Sequence, residues 1–283
     1  MERLLFLFTL RPIVYGLIGM VVSGISFPLA GVIIVRNSLI PMRYMLMHGV
    51  ILGGVFSIAL GLPLFPVVAA LNIMLVCVMI AMNRDGRTSL SVASTAMMVF
   101  TMGLASMIGH VFDVPAKDTL EILWGSPFAL LTSDLVILCI LSATLIIYIT
   151  VFFRPISMLF FDHDIAASSG VNVRFHNALM LLITALTISV AMKLLGALLI
   201  DALVVLPVLG ASRNAKSLKS MFIGSSVTGF VMSVTGYFIS LLFNLPVSGV
   251  LAVLAACVYA GNIAASKIRA KHINTANTLH TGV

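Results

Sequence analysis

Charged residues are scarce in this sequence. Asp, Glu, Lys and Arg make up 9% of its 283 residues, whereas a typical soluble domain carries roughly 25%. Hydrophobic residues make up 61%, and the mean hydropathy is +1.19. This composition excludes an ordinary soluble protein. No polar block is long enough for a second domain, so we expect one transmembrane domain over 1–266 and a short, disordered polar cytoplasmic tail over 267–283.

Cysteines are few, and the common catalytic motifs are missing. Cys77, Cys139 and Cys257 lie far apart in apolar stretches, which argues against a disulfide framework or a zinc knuckle. No Gly-Lys pair occurs, so the chain lacks the phosphate-binding P-loop of ATPases, and it has neither H-E-x-x-H nor G-x-S-x-G. We expect this chain to have no enzyme activity and no cofactor.

Long apolar runs are abundant. A hydrocarbon core about 30 Å thick needs about 20 apolar residues per helix. Such runs lie near 12–35, 44–60, 64–82, 89–112, 133–153, 177–192, 195–212, 221–243 and 247–263. Lys193 and Gly196 interrupt the chain between two of them, so 177–192 and 195–212 are either two spans or one broken element. The prediction is an all-α, polytopic membrane helix bundle with eight to ten transmembrane helices.

The basic residues predict the orientation. The net charge is +7, but Lys and Arg are scattered between apolar runs, which argues against a nucleic-acid partner. The positive-inside rule assigns most of them to cytoplasmic loops. These are Arg36, Arg43, Arg84, Arg87, Arg154, Arg174, Arg213, Lys216, Lys219, Lys267, Arg269 and Lys271. The acidic residues Asp113, Asp118 and Glu121, just before Trp124, then lie on the opposite side, and the C-terminus is cytoplasmic.

Four ordered segments resemble one transporter family. FFDHDIAASSGVNVRFH at 160–176 resembles the FD-x-x-x-A-x-x-x-G-V segment of metal-type ABC importer permeases, which carry manganese, zinc and iron. The segments at 122–138, 194–221 and 241–256 agree in order and spacing, and RNSLI at 36–40 agrees more weakly. The chain is therefore similar to these permeases over roughly 120–260.

The resemblance implies a fold, a location and a set of partners. It implies a type II ABC importer permease-like fold in the bacterial plasma (inner) membrane. The implied partners are ABC ATPase subunits that bind ATP, a second permease copy or a related permease, and an extracytoplasmic metal-binding lipoprotein, with membrane lipid around the bundle. Transport of a transition-metal ion or a metal-related solute would proceed by alternating access.

The segment that should contact substrate departs from the family. Family members carry Asp and His four residues apart, as GDALSHA, but here 41–54 reads PMRYMLMHGVILGG, without the Asp. His48 is present, displaced by about two residues, with Met42, Met45 and Met47 around it. Thioethers select soft ions, whereas Mn²⁺ prefers oxygen ligands. These four residues are candidates for the substrate path.

Asp201 is a candidate replacement carboxylate. It lies in an otherwise apolar run, where an acidic side chain costs about 2.5–3.5 kcal/mol to insert. It either joins His48 as a candidate metal ligand on the path, or it has only a packing role, as a protonated carboxyl or one hydrogen-bonded to a neighbouring helix. Gly49 and Gly53 form a G-x-x-x-G that favours close helix packing.

The coupling surface for an ATPase is predicted on the cytoplasmic side. Ala166 and Gly170 match the A-x-x-x-G of the family, and Arg213, Lys216 and Lys219 form a basic segment that either docks the ATPase or is an ordinary positive-inside loop.

Two other functions remain open. The chain is alternatively a secondary transporter with Asp201 as an ion or proton site, or a non-transporting regulatory partner of a related permease.

Overall fold

The computed structural model describes residues 9–83, 88–115, 117, 125–213 and 215–281, with the backbone alone for 265–281. Over these residues the chain is helical, without a strand. The helices are α1 Arg11–Arg36, α2 Ile40–Leu60, α3 Leu64–Met82, α4 Leu90–Val111, α5 Thr132–Val151, α6 Phe153–Phe161, α7 His163–Ser168, α8 Val173–Leu195, α9 Ala197–Val204, α10 Leu206–Ser212, α11 Leu218–Phe243 and α12 Val247–Thr281.

Eight helices in the described ranges are long and apolar enough to cross a membrane, and the α9–α10 pair is shorter. The predicted all-α membrane bundle is thereby confirmed. Helices α1, α2 and α8 form its interior, with 72%, 56% and 67% of their apolar windows buried. The outer helices instead expose apolar side chains such as Met102 and Met107 of α4, as expected of surfaces that face lipid.

Small residues bring α1 and α11 together. A Cβ on Gly24 of α1 would lie 2.1 Å from the hydroxyl of Ser233, and a Cβ on Gly229 of α11 would lie 2.4 Å from the ring of Pro28. Helices in lipid gain packing energy where small residues allow such close approach. These contacts fix α11 against the central helix.

The chain breaks between α8 and α9, where Gly196 has a φ of 95°. Glycine adopts this conformation without the steric cost that other residues meet. A second break at Val205 separates α9 from α10, and Pro207 lies in the first turn of α10. The sequence left open whether 177–192 and 195–212 are two spans or one broken element. The first run belongs to the single long helix α8, and the second is the broken pair α9 and α10.

The C-terminal segment differs from its predicted form. Helix α12 continues to Thr281, although 267–283 was expected to be disordered, because no Pro or Gly lies between Gly261 and Gly282. The division into a membrane domain and a tail stays a prediction. Arg84, Arg87, Asp118, Glu121 and Trp124, used above to predict orientation, lie outside the described residues, as do the side chains of Lys267, Arg269 and Lys271.

Candidate substrate path and coupling surface

Arg43 and Asp201 form an ion pair between α2 and α9. Arg43 was predicted to lie in a cytoplasmic loop, which is wrong, since α2 begins at Ile40 and Arg43 is only 6% exposed. Pro41 indicates that the helix begins before Arg43, because proline is favoured in the first turn of a helix. A cation close to the start of an apolar run was therefore part of the span.

The surroundings of the pair are mostly apolar. The guanidinium carbon of Arg43 lies 4.4 Å from the centre of the Tyr44 ring, a cation–π contact. A cavity of about 240 Å³ adjoins the pair, and its remaining lining is aliphatic. These lining residues are Leu198, Ala202, Val205, Leu206 and Ala252. The carboxylate of Asp201 thus has a counter-charge, which a divalent cation would have to displace before binding there.

The methionines around His48 fall into two groups. Met42 and Met45 are completely buried in the core. Met47 and His48 are half-buried, and Tyr44 is exposed. Residues three and four apart share one helix face, so Tyr44, Met47 and His48 form one open stripe on α2. His48 does not line the cavity beside Asp201.

The predicted packing glycines face α3. A Cβ on Gly49 would lie 2.0 Å from the side-chain oxygen of Asn72, and one on Gly53 would lie 2.8 Å from Val68. Asn72 is fully buried, and neither its amide nitrogen nor its oxygen has a hydrogen-bond partner among the described residues. Sequence reasoning missed Asn72, although a lone amide inside the apolar run 64–82 was a visible signal.

No group of three His, Cys, Asp or Glu side chains that could hold a metal ion occurs in the part of the chain that the structure describes. His48 and Asp201 are therefore not members of such a group among the described residues. Their roles in a path stay predictions.

The family-like segment at 160–176 forms a short capped helix. Asp162 accepts hydrogen bonds from the backbone nitrogens of Asp164 (2.7 Å) and Ile165 (3.0 Å) at the start of α7, which is N-capping. Ala166 is buried, and Gly170 ends the helix with a left-handed φ of 82°. The motif therefore sets where α7 begins, which face packs and where it ends.

The basic segment lies close to the end of α1. Arg36 donates a hydrogen bond to the carbonyl oxygen of Phe160 at 3.4 Å and so joins α1 to α6. A cleft of about 390 Å³ is lined by both Arg36 and Lys216. Arg213, Lys216 and Lys219 are all exposed. This end of the bundle presents a capped helix and exposed cations, and its cytoplasmic location and its role in coupling stay predictions.

Comparison with known proteins identifies the family. Residues 10–266 match the ABC 3 transport family, and the chain belongs to it. The resemblance seen in the sequence is thereby confirmed, as is the assignment to a multi-pass protein of the bacterial inner membrane. The breaks and the capped α7 helix thus belong to the membrane-spanning component of an ABC transport system.

Named relatives cover most of the chain. The manganese import system permease protein ScaB of Streptococcus gordonii is 27% identical, over 86% of this chain and 87% of its own length. The manganese transport system membrane protein MntC of Listeria innocua is 28% identical, over 86% of both. The zinc uptake membrane protein ZnuB of Buchnera aphidicola is 30% identical over 60% of this chain and 63% of its own.

Two solved structures share the fold. PsaBC from Streptococcus pneumoniae, in complex with Fab, superposes with a TM-score of 0.78 at 26% identity, covering 92% of this chain and 94% of that chain. A metal-chelate type ABC transporter in an inward-facing conformation superposes with a TM-score of 0.71 at 13% identity, covering 88% and 85%. The second likeness concerns the fold alone.

Proposed function

We propose that this chain is the permease subunit of an ABC importer that takes in a transition-metal ion, with manganese and zinc the first candidates. The observation that supports this most is the family match over residues 10–266. Relatives of nearly equal length are named as manganese import permeases, and a further one as a zinc uptake protein. Iron and metal-related solutes belong to the same proposed substrate class.

The proposed energy source is a separate ATPase. The sequence has no P-loop, so ATP must be bound and hydrolysed by other subunits. The proposed docking surface combines α7, held by Asp162 and Gly170, with Arg213 and Lys216 beside the end of α1. A second copy of this chain or a related permease completes the path, and an extracytoplasmic lipoprotein delivers the ion.

The proposed path runs along the open stripe of α2. A half-buried imidazole at His48 and a thioether at Met47 offer the ion nitrogen and sulfur ligands, which suit Zn²⁺ better than Mn²⁺, because Mn²⁺ prefers oxygen ligands. Asp201 contributes its carboxylate only when Arg43 moves away, since the paired guanidinium repels cations. Helix α9 lies between breaks at Gly196 and Val205, so it is able to move as a short rigid unit during alternating access.

The test is co-expression with candidate ATPase subunits and measurement of both ATP hydrolysis and uptake of radioactive Mn²⁺ or Zn²⁺ into vesicles. The chain alone should hydrolyse no ATP, and hydrolysis and uptake should appear together when the ATPase copurifies. ATP turnover by the pure single chain would contradict the proposal. Ion uptake driven by a proton gradient without any ATPase would instead support a secondary transporter.

A regulatory role has one observation in its favour. The family's Asp in 41–54 is missing, and Asp201 is engaged by Arg43, so no unpaired carboxylate is evident on the proposed path among the described residues. If this chain assembles with a related permease and an ATPase but uptake depends only on the metal ligands of the other permease, the regulatory role is correct.

A further inference from the structure

A groove runs along the outside of the bundle between α1, α5 and α11. Its volume is about 630 Å³, and its walls are apolar apart from Lys219 and two hydroxyl groups. Ile25 of α1, Ile149 of α5 and Phe222 of α11 are among the lining residues. Val227, which also lines it, is 56% exposed. The groove is therefore open at the surface and suited to an apolar ligand.

The depth of the groove matches one leaflet of the bilayer. Lys219 is the second residue of α11, at the end predicted to be cytoplasmic, and Val227 lies eight residues further on. At 1.5 Å per residue, these two positions are about 12 Å apart along the helix. Half of a hydrocarbon core is about 15 Å thick. The groove thus spans most of the cytoplasmic leaflet.

The floor of the groove has its polar groups satisfied. The hydroxyl of Ser226 donates a hydrogen bond to the carbonyl oxygen of Ile25 at 2.6 Å. Deeper in the membrane, Gly229 packs against Pro28, so α1 and α11 have no room to move closer and close the groove. A ligand that occupies the groove therefore gains binding free energy mainly by burying apolar surface.

A polar cleft adjoins the cytoplasmic end. Its volume is about 420 Å³, and Ser217, Lys219 and Ser220 line it together with two residues of the next turn. Lys219 lines both the cleft and the groove. Its side chain is exposed, and among the described residues no carboxylate forms an ion pair with it. An unpaired cation thus lies where the apolar groove meets the headgroup region.

We propose that the groove and cleft bind one phospholipid of the cytoplasmic leaflet with an anionic headgroup. An acyl chain lies along the groove between α1, α5 and α11, and the phosphate group lies at Lys219 within reach of the Ser217 and Ser220 hydroxyls. The charge of Lys219 and the match to one leaflet identify this occupant. The role of Lys219 is then lipid binding at the membrane surface, distinct from the cytoplasmic positions of Arg213 and Lys216.

The test uses fluorescence quenching by brominated lipids. The 283-residue chain carries one tryptophan, Trp124, so Trp124→Phe combined with Val227→Trp places the only tryptophan in the groove, where it is excited selectively over tyrosine. This variant is reconstituted in phosphatidylcholine containing either brominated phosphatidylglycerol or brominated phosphatidylcholine. A lysine near the membrane surface favours an anionic lipid by roughly fivefold, and we expect that preference in the relative quenching.

Three control variants make the result specific. Val253→Trp in the same background places the fluorophore on exposed α12 and should show no preference for either lipid. Lys219→Gln should remove the preference at the groove, whereas Lys216→Gln, which alters a lysine outside the groove, should retain it. Equal quenching by both lipids in the groove variant would overturn the proposal. Absence of quenching would also overturn it, because a second protein chain would then cover the groove.

Discussion

Removing Arg43 should destabilise the protein, because it breaks a buried ion pair from one side. The substitution Arg43→Met keeps a long apolar side chain but leaves Asp201 without its counter-charge. Breaking a buried ion pair from one side costs about 3–5 kcal/mol. The side chain of Asp201 retains 29% exposure, so we expect the lower end, about 3 kcal/mol, in line with the insertion cost of an aspartate at about 2.5–3.5 kcal/mol.

The measurement is thermal unfolding of the purified chain in detergent. At roughly 2–4 °C per kcal/mol for a chain of this size, the melting temperature of Arg43→Met should fall by roughly 6–12 °C. The double variant Arg43→Met/Asp201→Leu should recover most of this loss, because apolar replacement of a buried pair is often neutral.

A second ion pair provides the matched control. Lys193 lies 3.7 Å from Asp134, and Asp134 also accepts a hydrogen bond from the backbone nitrogen of Leu131 at 3.2 Å. It lies in the first turn of α5, where the helix dipole favours a negative charge. Lys193→Met should therefore cost less than Arg43→Met, because Asp134 keeps this hydrogen bond and the favourable helix dipole when the lysine is lost. Equal melting temperatures for Arg43→Met and the wild type, or no recovery in the double variant, would refute the reasoning.

Other predictions concern transport and packing. Asp201→Asn keeps size and hydrogen bonding but removes charge, so uptake should be abolished. It also leaves buried Arg43 without a counter-charge, so the melting temperature should fall as well, and assembly is measured beside uptake; full uptake would exclude Asp201 from the path. His48→Ala should weaken ion uptake more than Met47→Leu does, measured as the KM of vesicle uptake; equal values would place the path elsewhere. Asp162→Ala removes two backbone hydrogen bonds at the cap, costs about 0.5–2 kcal/mol, and should raise ATP hydrolysis relative to transport. Gly53→Ala brings a Cβ to 2.8 Å from Val68 and should lower the melting temperature.

The sequence predicts the class, the spans and the ends of elements well, because these depend on local composition. Asp162, Ala166 and Gly170 form a local motif whose cap, buried face and left-handed end follow from the residue types. The break at Gly196 was visible for the same reason. Residues whose role depends on a distant partner were harder to predict.

The Arg43–Asp201 pair shows why. Positive-inside reasoning treats every arginine near the end of an apolar run as a loop residue, and nothing local indicates that a carboxylate far along the chain compensates it. Met42 and Met45 were grouped with Met47 because they are neighbours in sequence. Helical geometry separates them, turning two toward the core and leaving the third on the open face.

The same pair has a consequence for how the protein is made. The α9–α10 pair contains 16 residues, Ala197–Ser212, about 24 Å at 1.5 Å per residue, which is shorter than the hydrocarbon core, and it carries Asp201. Such a segment partitions poorly into lipid by itself. Its counter-charge, Arg43, is synthesised early and inserts with α2. The folding of the second half therefore depends on an N-terminal half already in the membrane, and ribosome-bound chains lacking α2 should leave 197–212 accessible to water-soluble labels.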